Sequence, residues 1–269
     1  MANRFRLSKM DFINKGTEHR IIPHYLIHTS NGDINMNDII GLDVKISYTN
    51  RIICSACGKI TRKSFGQGYC YPCFISVPET EDCVLRPELC LAHEGIARDI
   101  SFATKHCLIN HIVYLALSGG LKVGVTRHHQ VPTRWVDQGA VRSIKLIVTP
   151  NRYLAGMAEV SLKNIFADKT NWRKMLHGVD EDTNIYEMKH MALQALSNKG
   201  VALDVADDME YWIEYPVRQY PHSISSINFD KCSTARGKLI GIKGQYLIFE
   251  SNEVLNIRTH TGYEVEMEF

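Results

Sequence analysis

Apolar and polar positions alternate between residues 39 and 53, with Leu42, Val44, Ile46 and Tyr48 set against Gly41, Asp43, Lys45 and Ser47. A period of two predicts a half-buried strand. Before it the pattern is weak, and Asn31-Gly32 marks a hairpin turn. The next clear pattern is a hairpin. Ile112-Val113-Tyr114-Leu115 and residues 121–126 are strand formers, and Ser118-Gly119-Gly120 between them is turn chemistry. A polar loop, Arg127-His128-His129-Gln130, leads to a short helix that Pro132 opens and Gly139 closes. Arg134 and Gln138, four residues apart, share one face of it. Residues 143–149 return to strand. A helix follows over 153–166, with apolar residues at 154, 158, 162 and 165 and Glu159 beside that face. A short helix from Trp172 to Leu176 is expected to pack through Trp172 and to stop at His177-Gly178. Another spans 185–199, with Ile185, Met188, Met191, Ala192 and Leu196 on one stripe.

Toward the C-terminus the period returns to two. Residues 239–249, 254–257 and 263–269 read as strands separated by polar turns, with glycines at bends. Short curved strands suggest a small β-barrel-like module, and since three strands do not close a barrel, the 39–53 strand is expected to join them. Both ends of the chain would then build one module. The order of elements predicts an α+β protein in five segments: an N-terminal β segment (1–53), a cysteine-rich region (54–107), a central core of a small antiparallel sheet with helices (108–180), a helix with a connecting strand (181–235), and a C-terminal β module (236–269). The acidic stretch Asp204, Asp207, Asp208, Glu210 and Glu214 reads as a solvated edge.

Composition narrows the class. The 269 residues are 45% hydrophobic and 22% charged, which excludes wholesale disorder. A net charge of +2 does not argue for a polyanionic partner, so a local basic surface has to. No eighteen-residue apolar run and no cleavage pattern occur, so a cytoplasmic protein with no membrane partner is expected. Nothing in the sequence calls for a small-molecule cofactor.

Seven of the eight cysteines lie between 54 and 107. Cys54-x2-Cys57-x12-Cys70-x2-Cys73 is a pair of knuckles, each aiming two thiolates at one centre, and together they complete a closed tetrahedral site. That pattern predicts a zinc ribbon with structural Zn2+; in a reducing compartment it reads better as metal ligation than as disulfides. Cys83, Cys90, His93 and Cys107 are candidates for a second zinc, in which His106 or His111 can replace His93; buried thiols are the alternative. Basic and aromatic residues interleave on the first knuckles, among them Lys63, Phe65, Tyr69 and Tyr71. Such a face suits phosphate and stacked bases, or else covers the thin core of a small ribbon.

Val113-Tyr114, Lys122-Val123-Gly124-Val125-Thr126 and Arg134-Trp135 together resemble the GIY-YIG endonuclease superfamily, in particular the branch whose second motif is Lys-(Ile/Val)-Gly-x-Thr. Ile112 stands where the first motif has its leading Gly, Lys122 stands where a second Tyr is usual, and the hairpin is shorter than usual. The resemblance implies a GIY-YIG-like core with Tyr114 as general base or activator of water, Arg134 on the scissile phosphate and Glu159 as ligand of one Mg2+ or Mn2+. Lys122 would lower the Tyr114 pKa or hold a phosphate. Arg127, His128 and Arg142 add positive charge for DNA or RNA. The implied activity is metal-dependent hydrolysis of phosphodiesters. The rival reading is a non-catalytic zinc-containing DNA- or RNA-binding module. Taken singly, Tyr114 is equally a strand aromatic, Arg134 a cation packed on Trp135, and Glu159 half of an i,i+4 pair with Lys163. The runs at 67–74 and 132–140 also resemble a bacterial domain family of unknown function.

Overall fold

The computed structural model describes residues 3–178 and 182–269. The segment boundary expected between 180 and 181 lies outside the described residues. Contacts divide the chain into two units, Met1–Ile75 with Glu214–Phe269, and Ser76–Ile213.

In the first unit the alternating stretch forms the strand Asp43–Ile53, which lies between Tyr263–Glu268 and Thr234–Lys243, antiparallel to both. Ile46 faces Ala235 on one side and Met267 on the other. Val44, Ile46, Ala235, Leu239, Val265 and Met267 are buried, as the period of two requires. Leu42 falls outside the strand and is exposed. The sheet continues through Tyr246–Phe249 and Glu253–Asn256 to Ser225–Ile227, and on the other side ends at Asn3–Arg6. Strands from both ends of the chain therefore share one sheet. The barrel-like module is corrected, because among the described residues no sheet closes: the two edge strands, of four and three residues, pair only inward. A separate three-stranded sheet, Asp11–Asn14, Pro23–Thr29 and Gly32–Asn35, carries the hairpin marked by Asn31-Gly32, with Thr29 opposite Gly32.

In the second unit the strand His111–Leu117 is buried at all seven positions. It pairs antiparallel with Leu121–Arg127 and with Arg142–Thr149, and the latter also pairs with Asp204–Val205 and Glu210–Ile213. The helices Arg152–Leu162 and Ile185–Asn198 contribute Ala155, Ala158, Leu162, Ala192 and Leu196 to a core with Val113, Leu115, Val123, Ile144 and Leu146. The buried stripe of the first helix is the expected one only at Ala158 and Leu162: Leu154 and Ile165 are exposed, while Ala155, Gly156 and Glu159 also face inward. In the second, Met191 is exposed and Lys189 is buried; its Nζ donates to Ala206 O at 2.9 Å and Asp207 O at 2.7 Å and meets the Asp208 carboxylate at 2.8 Å. Helix Trp172–His177 buries Met175 and Leu176, whereas Trp172 is half-buried with Arg173 over its ring. No helix among the described residues is long and apolar enough to cross a membrane.

Candidate functional site

Tyr114 comes from the strand His111–Leu117, Lys122 from its hairpin partner, Arg134 from the helix Thr133–Asp137 and Glu159 from the helix Arg152–Leu162. Their charges act on one another. Arg134 and Glu159 act on both Tyr114 and Lys122, and Arg134 acts on Glu159. The loop after the Glu159 helix adds Asp168, since Ala167 bridges to Lys122 and accepts a hydrogen bond from Val123 N at 2.8 Å.

Lys122 is 3% exposed and Glu159 9%. Among the described residues neither makes a hydrogen bond or an ion pair within 4.0 Å. The i,i+4 alternative for Glu159 is not taken up, because Lys163 pairs with Asp168 at 3.3 Å. Burial brings the Lys122 ammonium down to about 7, helped by the Arg134 charge, and burial pushes the Glu159 carboxyl up to about 7. A buried acid and a buried base thus both change charge near neutral pH.

Tyr114 is fully buried. Its hydroxyl donates to Gln138 Oε1 at 3.0 Å, and its ring meets Trp135 edge-on at 5.7 Å. Burial pushes its phenol above the usual value, against the pull of Arg134 and Gln138. The expectation that Lys122 lowers this pKa is therefore corrected: the low-pKa group here is Lys122 itself. Gly124 belongs to the same packing. A Cβ there would lie 2.6 Å from Tyr114 Oη and 2.7 Å from Cζ, so only glycine lets the hairpin strand cover the ring. Gly124→Ala is expected to lower stability by about 2–3 kcal/mol, since the buried ring has no room to yield. A chemical denaturation midpoint equal to wild type would refute that contact.

The two shifted groups also set a pH dependence. Between 4.5 and about 7 the folded protein holds a proton on Glu159 that the unfolded chain has lost, so stability falls as pH rises. Between about 7 and 10.5 the unfolded chain holds a proton on Lys122 that the folded protein has lost, so stability rises. Relative to wild type, Glu159→Gln should remove the acid limb and Lys122→Met the alkaline limb, in urea titrations at pH 5, 7 and 9 without divalent cations.

Two cysteine groups can each hold a metal such as zinc. The Sγ atoms of Cys54, Cys57, Cys70 and Cys73 lie within 4.8 Å of one another. Cys54 closes the long strand, and Cys70 N donates to its Sγ at 3.2 Å. Although burial works against it, the N–H groups of Cys57, Cys70 and Ala56 bring the Cys54 thiol down to about 6, the thiolate character a metal ligand needs. Cys83, Cys90 and Cys107 form the second group, equally close. Their protons are shared: Cys107 and Cys83 pull Cys90 down to about 3, and Cys107 is pushed up in return. Arg152, buried at the start of its helix, donates to Cys83 O at 3.3 Å and to His106 O at 3.2 Å. A cavity of about 260 Å³ opens beside the three thiols, lined also by Glu81, Asp82 and Arg98.

Among the described residues no histidine nitrogen joins that trio within 4.8 Å. His93 stacks on Tyr153 with centroids 4.4 Å apart, His106 packs on Phe102 and contacts Arg127, and His111 is buried with Nδ1 2.7 Å from Ile109 O. Arg127 is thus turned to His106, and His128 is exposed. Arg142 is held by Glu210, donates to Thr183 O at 3.0 Å and lies over Trp212, so its charge is already matched. Asp207 does the same for Lys145 at 2.8 Å. On the first knuckles Lys63 is exposed over the Phe65 ring, Tyr69 is half-buried, and Tyr71 is exposed against Phe65. Sequence reasoning passed over Lys189, because a cation inside a helix pattern reads as surface, and over Glu88, which the Cys83-x6-Cys90 spacing hides as a loop residue.

Residues 41–265 match the family model DUF2797, described as a protein of unknown function, and the chain belongs to that family. Neither a curated protein nor a solved structure matches it.

Proposed function

We propose that the chain binds nucleic acid through its phosphate backbone and that the site of Tyr114, Lys122, Arg134 and Glu159 hydrolyses a phosphodiester, as the resemblance to the GIY-YIG superfamily implies. The observation that carries this reading is the convergence of Lys122, Arg134 and Glu159 from three separate elements, with Lys122 and Glu159 nearly buried and without hydrogen-bond partners among the described residues. Burying such groups costs several kcal/mol unless a ligand compensates, roughly 1–3 kcal/mol or more for each. A phosphate oxyanion matches Lys122 and Arg134, and a divalent cation matches Glu159.

The donor set fits one hard cation at Glu159, which when bound would neutralise charge developing on the phosphate. Arg134 holds the phosphate and stabilises the same charge. With its pKa near 7, Lys122 can accept a proton from attacking water in its neutral form and return it to the leaving oxygen. Tyr114 fixes Gln138 and the helix that bears Arg134, which is a positioning role. The exposed Lys63 and Tyr71 on the ribbon supply further phosphate and stacking contacts.

The buried, protonated phenol of Tyr114 favours a second reading, in which the fold binds nucleic acid without cleaving it. The test is to incubate the zinc-loaded protein with labelled single-stranded, double-stranded and structured DNA and RNA, with Mg2+ or Mn2+ and with chelator. Metal-dependent scission supports the hydrolase and identifies its substrate class. Salt-sensitive retention without scission, weakened by Lys122→Met and Arg134→Ala, supports the binder. Neither scission nor retention refutes both.

A further inference from the structure

Gly156 sits where another part of the second unit crosses the Glu159 helix. A Cβ at Gly156 would lie 2.2 Å from Glu88 N and 2.8 Å from Glu88 Cα, so the turn Pro87–Leu89 rests directly on the helix backbone. Glu159 is three residues further along that helix and therefore on the same face. The turn cannot drift, because Cys83 and Cys90 on either side of it converge with Cys107, and Arg152 at the foot of the helix is bonded to Cys83. Burial pushes the Glu159 carboxyl up, and the Glu88 charge adds to that push. Glu88 Oε2 is buried without a hydrogen-bond partner, and its Oε1 faces Arg86 at 3.7 Å.

Two carboxylates carried by a turn and a helix in direct contact, one of them nine-tenths buried and neither paired within the fold at its inner oxygen, are an arrangement a divalent cation resolves. We propose that Glu88 is the second carboxylate of the site and binds, together with Glu159, a single divalent cation. This rests on the cation-dependent reading of the site given above. It also assigns a task to the cysteine trio, which fixes the turn that delivers Glu88, and to Gly156, which lets that turn come close.

The test is Mn2+ binding by the zinc-loaded full chain, with free Mn2+ followed by electron paramagnetic resonance. Wild type is expected to bind one Mn2+. Glu88→Gln should bind at least tenfold more weakly with zinc content and circular dichroism unchanged, and Glu159→Gln should bind more weakly still. Glu94→Gln, on an exposed side chain of the neighbouring turn, should match wild type. Equal affinity for wild type and Glu88→Gln overturns this proposal alone. No Mn2+ binding by wild type overturns it together with the metal-dependent hydrolase. Mn2+ binding lost in Glu88→Gln, with no scission by wild type, supports the cation site and removes the hydrolase.

Discussion

Glu159→Gln is expected to reduce metal-dependent strand scission by about a thousandfold or more while leaving nucleic-acid affinity within about twofold. The scale follows from the chemistry: a cation at the reacting phosphate contributes several kcal/mol, and about 4 kcal/mol is a factor of 10³ in rate. On the proposed reading affinity should survive, because the phosphate contacts assigned to Lys122 and Arg134 do not involve Glu159. The same substitution removes a carboxylate that burial already disfavours, so at pH 8 without divalent cations the variant should be more stable than wild type. Gain of stability with loss of turnover separates a functional carboxylate from a structural one. Single-turnover cleavage, filter binding and a urea titration check the three parts. Undiminished cleavage removes Glu159 from the mechanism.

Loss of metal from the first cysteine group should have the largest effect on structure. Between residues 54 and 76 only Cys54 and Gly68 are buried, and Ile60, Tyr71 and Ile75 are 63%, 57% and 53% exposed. A segment with so little core is held by few bonds, among them Ser55 N to Gly68 O at 2.7 Å and the reciprocal pair between Phe65 and Tyr69. Structural zinc supplies roughly 10–16 kcal/mol to a zinc-finger peptide, far more than these contacts. Cys57→Ser or Cys70→Ser should release zinc and abolish amide-exchange protection across 54–75. Protection of the 43–53 strand should fall less, since Tyr263–Glu268 and Thr234–Lys243 hold it on both sides. Retained protection in the zinc-free variant would show that the knuckles fold without metal.

Elements whose burial follows a period were legible in the sequence. Val44 and Ile46 alternate because one face of their strand is covered. The cysteine knuckles were legible because metal geometry fixes their spacing. The stretch from 77 to 98 was not. It folds as four single 3-10 turns held by Arg98 and the cysteine trio, and contacts of that kind leave no period. Nor was the contact of the Glu88 turn with the Glu159 helix, which depends on one missing methyl group at Gly156 and joins residues sixty-eight positions apart along the chain. Barrel closure was over-read because glycine-bent strands fit open and closed sheets alike. Arg142 was over-read because its partner Glu210 lies on a strand sixty-eight positions away.

The two units also differ in when they can be completed. Ser76–Ile213 is continuous, so every strand and helix of its core is present once residue 213 has been synthesised. The sheet of the other unit needs Thr234–Lys243 and Tyr263–Glu268 to flank a strand made some two hundred residues earlier. During translation the central unit can close first, while the Asp43–Ile53 strand waits with its edges unsatisfied. Truncation near the C-terminus should therefore leave an ordered, exchange-protected centre on an aggregation-prone N-terminal segment.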